Sequence, residues 1–539
     1  MRKNLEIPQG KRTRKYRFFE ILPGAISYTA IILLFVLSWV NPILGAIYLF
    51  VIIAITLVKA VGVAYRTVQG YEVIRRAIKV DWRKRIEDLK DPHAAFERLR
   101  GSNEKSYNFD RHVENLRMLA AMGSEYPDPD KVYHAVIMTA YDEGIDTLLP
   151  SVQAVVDTTF PNERIIFTLA YEERGGEAME ATAKLLASKF KGVFFDFLLV
   201  KHPADLPNEI MGKGPNLTWA GQNLAEYVKK KNIPTENVIV TSLDSDNRMD
   251  SKYLDAVAYE FITHPNRQRM SYQPVSLFMN NIWDAPAPTR VIAVSNSFYN
   301  VFITMRPHVT RNFASHSQPL AALSAMDFWS KRTIVEDGHQ YWRSLFFFDG
   351  DYTVLPVRIP IYQDAVMDDG FWKTVKAQFI QVRRWYYGAS DVAYVGVRLF
   401  SKDRTMPFWK LFPKFWRLLD GHVTLAMMAP IITFGGWVPM IMNLSARTMI
   451  AYSVPSVVSI VQTAASIGLL ITVFLSLKML PKRPAKYRKE KTFFMVLQWI
   501  LMPVTSILYQ SLAAFYAQTR LMLGKYMEKF DVTKKVVKK

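Results

Sequence analysis

The chain has 539 residues, half of them hydrophobic, and no cysteine, which excludes disulfides, thiolate zinc sites and cysteine nucleophiles together. Its 68 lysines and arginines against 48 acids give a formal charge of +20, a balance that suits nucleic acid, an anionic membrane face or an anionic substrate. A mean hydropathy just above zero is rare in soluble proteins and points to the membrane.

Residues 1–22 are polar and basic and read as a cytoplasmic N-terminus. Residues 23–65 hold two apolar runs, Pro23 to Val40 and Ile43 to Tyr65, separated by Asn41-Pro42. Each is near the roughly 20 residues that cross a hydrocarbon core, and the break suits a tight turn between antiparallel spans. A cleaved signal peptide does not fit, because the second span follows at once and no small-residue cleavage site precedes it. Residues 66–130 are helical in pattern, and the basic run Arg75 to Arg85 with Trp82 beside it suggests a helix resting on headgroups.

Residues 131–400 change character, with short β-rich runs alternating with helical ones. Strands are expected over Val132–Thr139, Arg164–Leu169, Val193–Val200, Val238–Leu243 and Met270–Leu277, with helices over Leu148–Asp157, Glu177–Ser188 and Leu217–Lys230. The alternation predicts an α/β domain with a mostly parallel sheet, in which ligands collect beyond the carboxyl ends of the strands. Residues 401–421, with Trp409, Phe412, Phe415 and Trp416 interleaved among cations, read as an amphipathic interface helix. Residues 422–477 contain two further spans, His422–Leu444 and Val454–Leu477, joined by a loop whose only basic residue is Arg447. The linker 478–491 is strongly basic and belongs on the cytoplasmic side, which places the α/β domain there as well. Residues 492–524 are apolar but contain Pro503, and a full span would export the basic tail 525–539. A re-entrant hairpin returning the tail to the cytoplasm is the expectation.

Within the α/β region, Ile239 to Leu243 runs into Asp244-Ser245-Asp246, two carboxylates at a strand end that can face one hard cation and the diphosphate it carries. Thr139, Tyr141 and Glu143 close the first strand, where an aromatic ring and a carboxylate can hold a nucleoside by stacking and hydrogen bonds. Glu172 and Glu173 end the second strand, and a carboxylate there can accept from the imide N–H of uracil. In Gly212-Lys213-Gly214-Pro215-Asn216 the glycines allow close backbone approach and Lys213 offers charge to phosphate, although the Walker spacing is absent. Glu336-Asp337-Gly338 precedes an amphipathic helix on which Gln381, Arg384 and Trp385 share one face. Arg384 can pair with a diphosphate, and Trp385 can floor a sugar ring. Each pattern alone also suits an ordinary charged turn or a packed aromatic; their order along the chain carries the argument.

The ordered set A-Y-D-E, G-K-G-x-N, D-S-D, E-D-G and Q-V-R-R-W resembles the membrane-embedded glycosyltransferases of family 2, which include cellulose and hyaluronan synthases. The likeness extends over most of the chain, from the two N-terminal spans to the F-D-V-T-K-K ending. It implies a nucleotide-binding domain of the GT-A type, a single-displacement inverting transfer and a divalent cation, Mg2+ or Mn2+. It further implies that Asp244 touches nucleotide and metal, that Asp246 ligates the metal, and that Asp337, beside Glu336, is the general base. Gln381, Arg384 and Trp385 would bind the diphosphate and the acceptor end. The family's usual Asp-Asp is replaced here by Glu172-Glu173, which leaves the base contact open.

The expected partners are a nucleotide-diphosphate sugar, with UDP as the expected nucleotide, a growing polysaccharide or a lipid-linked acceptor, and membrane lipids. An oligomer is compatible with so few spans. Processive synthesis with translocation is the first reading and addition of one sugar to a lipid carrier the second. A transporter or anion channel would need ionisable residues inside the spans, where Lys59 and His422 are almost the only ones. Nucleic-acid binding is disfavoured because the cations gather beside membrane segments. His316, Ser317 and Gln318, ahead of the E-D pair, are expected along the acceptor path.

Overall fold

The structure is a computed structural model and describes residues 5–123, 125–443 and 449–529. Leu444 and Arg447 of the expected loop, and the F-D-V-T-K-K ending, lie outside the described residues.

Among the described residues eight strands form one sheet: β1 Tyr133–Ala140, β2 Ile165–Glu172, β3 Asp196–His202, β4 Val238–Asp244, β5 Arg248–Met249, β6 Met270–Phe278, β7 His316–Pro319 and β8 Thr353–Gln363, in the order 3-2-1-4-7-6-8-5. β1 to β4 are parallel, and right behind them come the connecting helices Ile145–Val156, Gly176–Lys189 and Lys213–Lys230. Beyond β4 the pairing is mixed: β7 is antiparallel to β4 and β6, β6 is parallel to β8, and β5 is antiparallel to β8. The domain is therefore mixed α/β rather than mostly parallel throughout. The chain builds β1, β2 and β3 outward in one direction and then returns to place β4 on the other side of β1, so the strand order reverses at the β1–β4 crevice. Such a reversal opens a ligand crevice at the carboxyl ends of the strands. Register brings Thr139 opposite Asp244 and Ala140 opposite Tyr171, so the polar strand ends share one rim.

Three expected features pack differently. Trp82 is in the core, not on headgroups: it is 4% exposed, its indole N–H donates to the Ala77 carbonyl, and its ring meets Tyr107 and Tyr259 edge-on. His316, Ser317 and Gln318 do not line a path; they are β7, fully buried between β4 and β6, with Ser317 bonded to Thr241 and Tyr253. The interface helix and the span after it are one helix, Phe408–Phe434, which passes through Pro413 while Trp409 and Trp416 stay exposed.

Among the described residues, four helices are long and apolar enough to cross a membrane: Arg14–Val40, Pro42–Ala77, Phe408–Ile441 and Glu490–Met522. Asn41 ends the first and caps the second, accepting the Ile43 N–H, with Pro42 at the first helical position. At the far end of this hairpin Leu34 and Leu49 pack on Ile431, Val454 and Val458. The helix Met449–Met479 then returns to the domain, where Leu475 joins Ile74 and Val275 in one cluster.

Glu490–Met522 is not a hairpin. It is helical throughout, with Pro503 in the first turn of Met502–Thr505 and a π-helical turn at Ser506–Ser511. Before it, Lys486 and Tyr487 bind Asp284 at 2.8 and 2.5 Å. After it, the Met527 N–H donates to the Tyr387 hydroxyl at 3.2 Å, and Lys529 bridges Met211. Both ends thus rest on the α/β domain. One side is seated on it through Arg290 to Gln498 at 2.6 Å and through Tyr509 and Ala513 against Ile292 and Val382. The opposite side exposes Phe493, Leu497, Ile500, Val504, Leu508 and Leu512, an apolar stripe at helical spacing. Residues 525–529 return to the domain side because the helix lies along the domain, its apolar stripe outward.

Because the chain lacks cysteine, single cysteines report sidedness directly. Ser102→Cys, Lys489→Cys and Lys525→Cys are expected to react with an impermeant thiol reagent from one face of sealed vesicles, and Val40→Cys from the other. Labelling of Lys525→Cys from the Val40 face would contradict this arrangement.

Candidate functional site

A cavity of about 1530 Å³ opens at the carboxyl ends of β1, β2 and β4 and continues between the membrane helices. Thr139, Tyr141, Glu143, Glu172, Lys213, Asp244, Asp246, Glu336, Asp337, Gln381, Arg384 and Trp385 all line it. Residues separated by more than two hundred positions in sequence therefore face a common space.

Its centre is the Lys213 ammonium. Lys213 begins the helix Lys213–Lys230, and its nitrogen lies 2.7 Å from Asp244 Oδ1, 3.2 Å from each Asp337 oxygen and 3.6 Å from Glu336 Oε1. Burial works against its charge, but Asp244, Asp337 and Glu336 overcome this and raise its pKa above the usual lysine value. Burial pushes the Asp337 carboxyl well above the ordinary range; Lys213 opposes the shift, and Glu336 and Asp244 add to it. Glu336 is raised in the same direction by burial.

Gly214 serves packing rather than ligand approach. A Cβ there would lie 2.3 Å from the Ser330 carbonyl oxygen, so only glycine lets the helix start close to the strand of chain leading to Glu336. Asn216, two residues on, donates to the Ala170 carbonyl at 3.0 Å and ties the helix to β2.

Asp246 is buried, and its Oδ2 accepts the Asp364 N–H at 2.9 Å, pinning the D-S-D turn to the end of β8. Glu143 accepts the Tyr141 N–H at 2.7 Å and the Ser245 hydroxyl at 2.9 Å, which couples the β1 and β4 ends. Its carboxyl is raised by burial. Glu172 is not simply presented to a base: its Oε2 already receives Arg174 at 2.7 Å and His202 at 3.2 Å, and Glu173 points elsewhere, accepting the Ala204 N–H. Arg174, which the sequence reading passed over, also sits 5.7 Å from the Tyr141 ring centroid. The arginine directly after Glu172-Glu173 was the signal.

On the helix Phe371–Tyr386, Gln381 accepts from Gln378 at 3.2 Å, Trp385 meets Phe278 at 5.9 Å between ring centroids, and the charge of Arg384 reaches Glu336. His339, two residues after Asp337, contacts Asp391 at 2.6 Å and anchors the helix Glu336–Phe347.

Among the described residues no group of three or more metal-binding side chains forms a cage. Asp244 and Asp246 nevertheless suit a magnesium-type ion, which takes one or two carboxylates and fills its shell with phosphate oxygens and water.

No family model matches the chain, and no curated protein matches it. Among solved structures it is similar to the mannosyltransferase PcManGT from Pyrobaculum calidifontis in complex with GDP-Man and Mn2+, at 13% identity and TM-score 0.42 over 83% of this chain and 100% of that one. It is also similar to S. aureus TarS 1–349 in complex with UDP, at 10% identity and TM-score 0.33 over 73% and 93% of the two chains. The functional reading rests on the site itself.

Two outcomes test the site's construction. Gly214→Ala should cost about 1–3 kcal/mol through the backbone clash, read as a lower Tm; an unchanged Tm would show the helix start can shift freely. Burial disfavours the charge on His202, but Glu172 and Glu209 raise its pKa from 6.5 to about 9. The stabilisation is therefore complete below about pH 6.5 and lost as pH rises through about 9. His202→Gln should flatten Tm against pH across that window, and an unaltered slope would remove His202 from this role.

Proposed function

We propose that the chain is a membrane-bound inverting glycosyltransferase of the family 2 type, with its α/β domain cytoplasmic, drawing sugar from a nucleotide-diphosphate donor. The observation that carries the reading is the convergence of Asp244, Asp246 and Asp337 on one cavity, around a buried Lys213 and opposite Arg384 and Trp385.

The nucleoside would lie against Tyr141, with Glu143, Glu172 and Arg174 framing the base, and UDP remains the nucleotide we favour. Lys213 and Arg384 meet the diphosphate with positive charge in a site shielded from water, where such contacts are strongest. Asp244 and Asp246 would hold a divalent ion, Mg2+ or Mn2+, which when bound neutralises charge on the leaving diphosphate. Gln381 and Trp385 orient the sugar and the acceptor end. The acceptor oxygen forms its bond to the anomeric carbon as the bond from that carbon to the phosphate oxygen breaks. The bonding electron pair leaves with the nucleotide diphosphate, and the acceptor proton passes to Asp337. Burial strengthens this carboxyl as a base, while the Lys213 ammonium beside it favours the ionised form that can accept the proton.

Of the two acceptors, a growing polysaccharide and a lipid-linked one, the second is favoured by the cavity's continuation along Val58, Gly62 and Leu425 of the membrane helices. The basic N-terminus, the linker around Lys486 and the tail around Lys525 all lie on the domain side, which supports a cytoplasmic domain under the positive-inside bias.

Purified full-length protein incubated with a panel of nucleotide sugars, with and without manganese, tests the donor. Asp337→Asn should lower turnover at least about 100-fold while nucleotide affinity persists, whereas near-normal turnover would remove Asp337 from the base role. Product length separates the acceptors: a single glycolipid for one, a ladder for the other.

A further inference from the structure

The side of the cavity formed by the long apolar helices is lined by cations that the donor chemistry does not use. Arg66 comes from the second membrane helix, Arg306 and Arg311 from the loop after Ala287–Thr304, and Lys414 and Arg417 from Phe408–Phe434. Among the described residues none of the five forms an ion pair. The nearby Asp420 is already matched by Lys59 at 3.0 Å. The cations are close enough to repel one another: burial, then Arg66 and Arg417, hold the Arg306 guanidinium below its usual pKa, and burial, then Arg306, Arg417, Arg66 and Lys414, do the same for His308. Gathering like charges in a partly enclosed space costs free energy, which an anion would recover.

The position of this vestibule says what kind of anion. Lys414 donates to the Tyr341 hydroxyl at 2.9 Å, and Tyr341 stands one helical turn after Asp337 on the same helix face. The vestibule thus adjoins the proposed base. On the same two helices that supply Arg66, Lys414 and Arg417, Val58, Val63, Leu418 and Leu425 add apolar surface, beside the neutralised Lys59–Asp420 pair. A group that is anionic at one end and apolar beyond it satisfies both.

Building on the transferase reading, we propose that the vestibule binds the phosphate of a lipid-linked acceptor, with Arg306 and Arg417 as its main partners and Arg66, Arg311 and Lys414 around them. The lipid chain lies between Pro42–Ala77 and Phe408–Phe434, and the phosphate fixes how far the acceptor reaches toward Asp337.

The test uses the full chain in nanodiscs of neutral phosphatidylcholine, titrated with a polyisoprenyl phosphate and with the polyisoprenol of the same length, without nucleotide sugar. The phosphate should bind at least about tenfold tighter, as charge-assisted hydrogen bonds require. Arg306→Gln combined with Arg417→Gln should reduce this advantage to under about threefold, while the double lysine variant and the distant Lys184→Gln retain it. Equal binding of phosphate and alcohol, or an advantage that survives the double glutamine variant, would overturn the proposal. So would displacement of the polyisoprenyl phosphate by an equal fraction of phosphatidylglycerol, or by inorganic phosphate at the same concentration, since either would mark a general anion site. Because no sugar donor is present, failure here leaves the transferase reading intact, and failure of every nucleotide sugar to turn over leaves the binding result intact.

Discussion

The Lys213 ammonium is the interaction on which the rest of the site depends. Three carboxylates, Asp244, Asp337 and Glu336, come within 3.6 Å of it from the end of β4 and from the helix Glu336–Phe347. Buried like charges at such separations would force protons onto one another or push the elements apart. One ammonium at their centre eases that conflict, although Asp337 and Glu336 stay raised, and breaking such a buried pairing costs about 3–5 kcal/mol because the remaining charge is stranded. The start of Lys213–Lys230, the β4 end and the Glu336 helix are therefore held together by the same charges that face the cavity. Fold and site share one electrostatic constraint here.

That constraint also explains why the backbone is so closely fitted around it. Gly214 brings the helix start against the Ser330 carbonyl, and Gly175 brings the turn after β2 against the Tyr141 carbonyl, where a Cβ would approach to 1.9 Å. Glu143 then links Tyr141 to Ser245, so a displacement at the end of β1 is felt at the D-S-D turn. On the other side, the long helix Glu490–Met522 touches the domain, the first membrane hairpin and Phe408–Phe434 together, through Gln498, Tyr28 to Thr519, and Gln518 to the His422 carbonyl. The long apolar helices are thus walls of the cavity.

The polar cluster was the most legible part of the sequence, because acids and cations at strand ends and on one helix face leave marks that do not depend on packing. Asp244, Asp246, Asp337, Arg384 and Trp385 were all readable in that way, and they share a cavity. On the far side of the sheet β6 was legible as well, at Met270–Leu277, but β7 and β8 were not. β7 is polar and fully buried, satisfied by hydroxyl contacts that no hydrophobic alternation announces, and β8 carries Pro356 and Pro360, which disguise a strand. Trp82 illustrates the opposite error: a basic helix with an aromatic looks interfacial until its indole finds a carbonyl inside the protein. The cationic vestibule was invisible because its members come from three separate segments, each of which alone is an unremarkable basic patch.

Taken together, the cavity has two electrostatic halves that meet at Lys213 and Asp337. The half at the strand ends is dominated by carboxylates, and a diphosphate entering it alone would be repelled by Asp244, Asp246 and Glu336. It needs accompanying positive charge, which is the physical case for a divalent ion at the D-S-D turn alongside Lys213 and Arg384. The membrane half has the reverse sign and draws an anion without help. Under the proposed reading, two anionic reactants would be sorted by whether they arrive with a cation, each drawn to its own end of the cavity. The order of charges along one cavity would thus supply directionality that neither the sheet nor the helices would provide by shape.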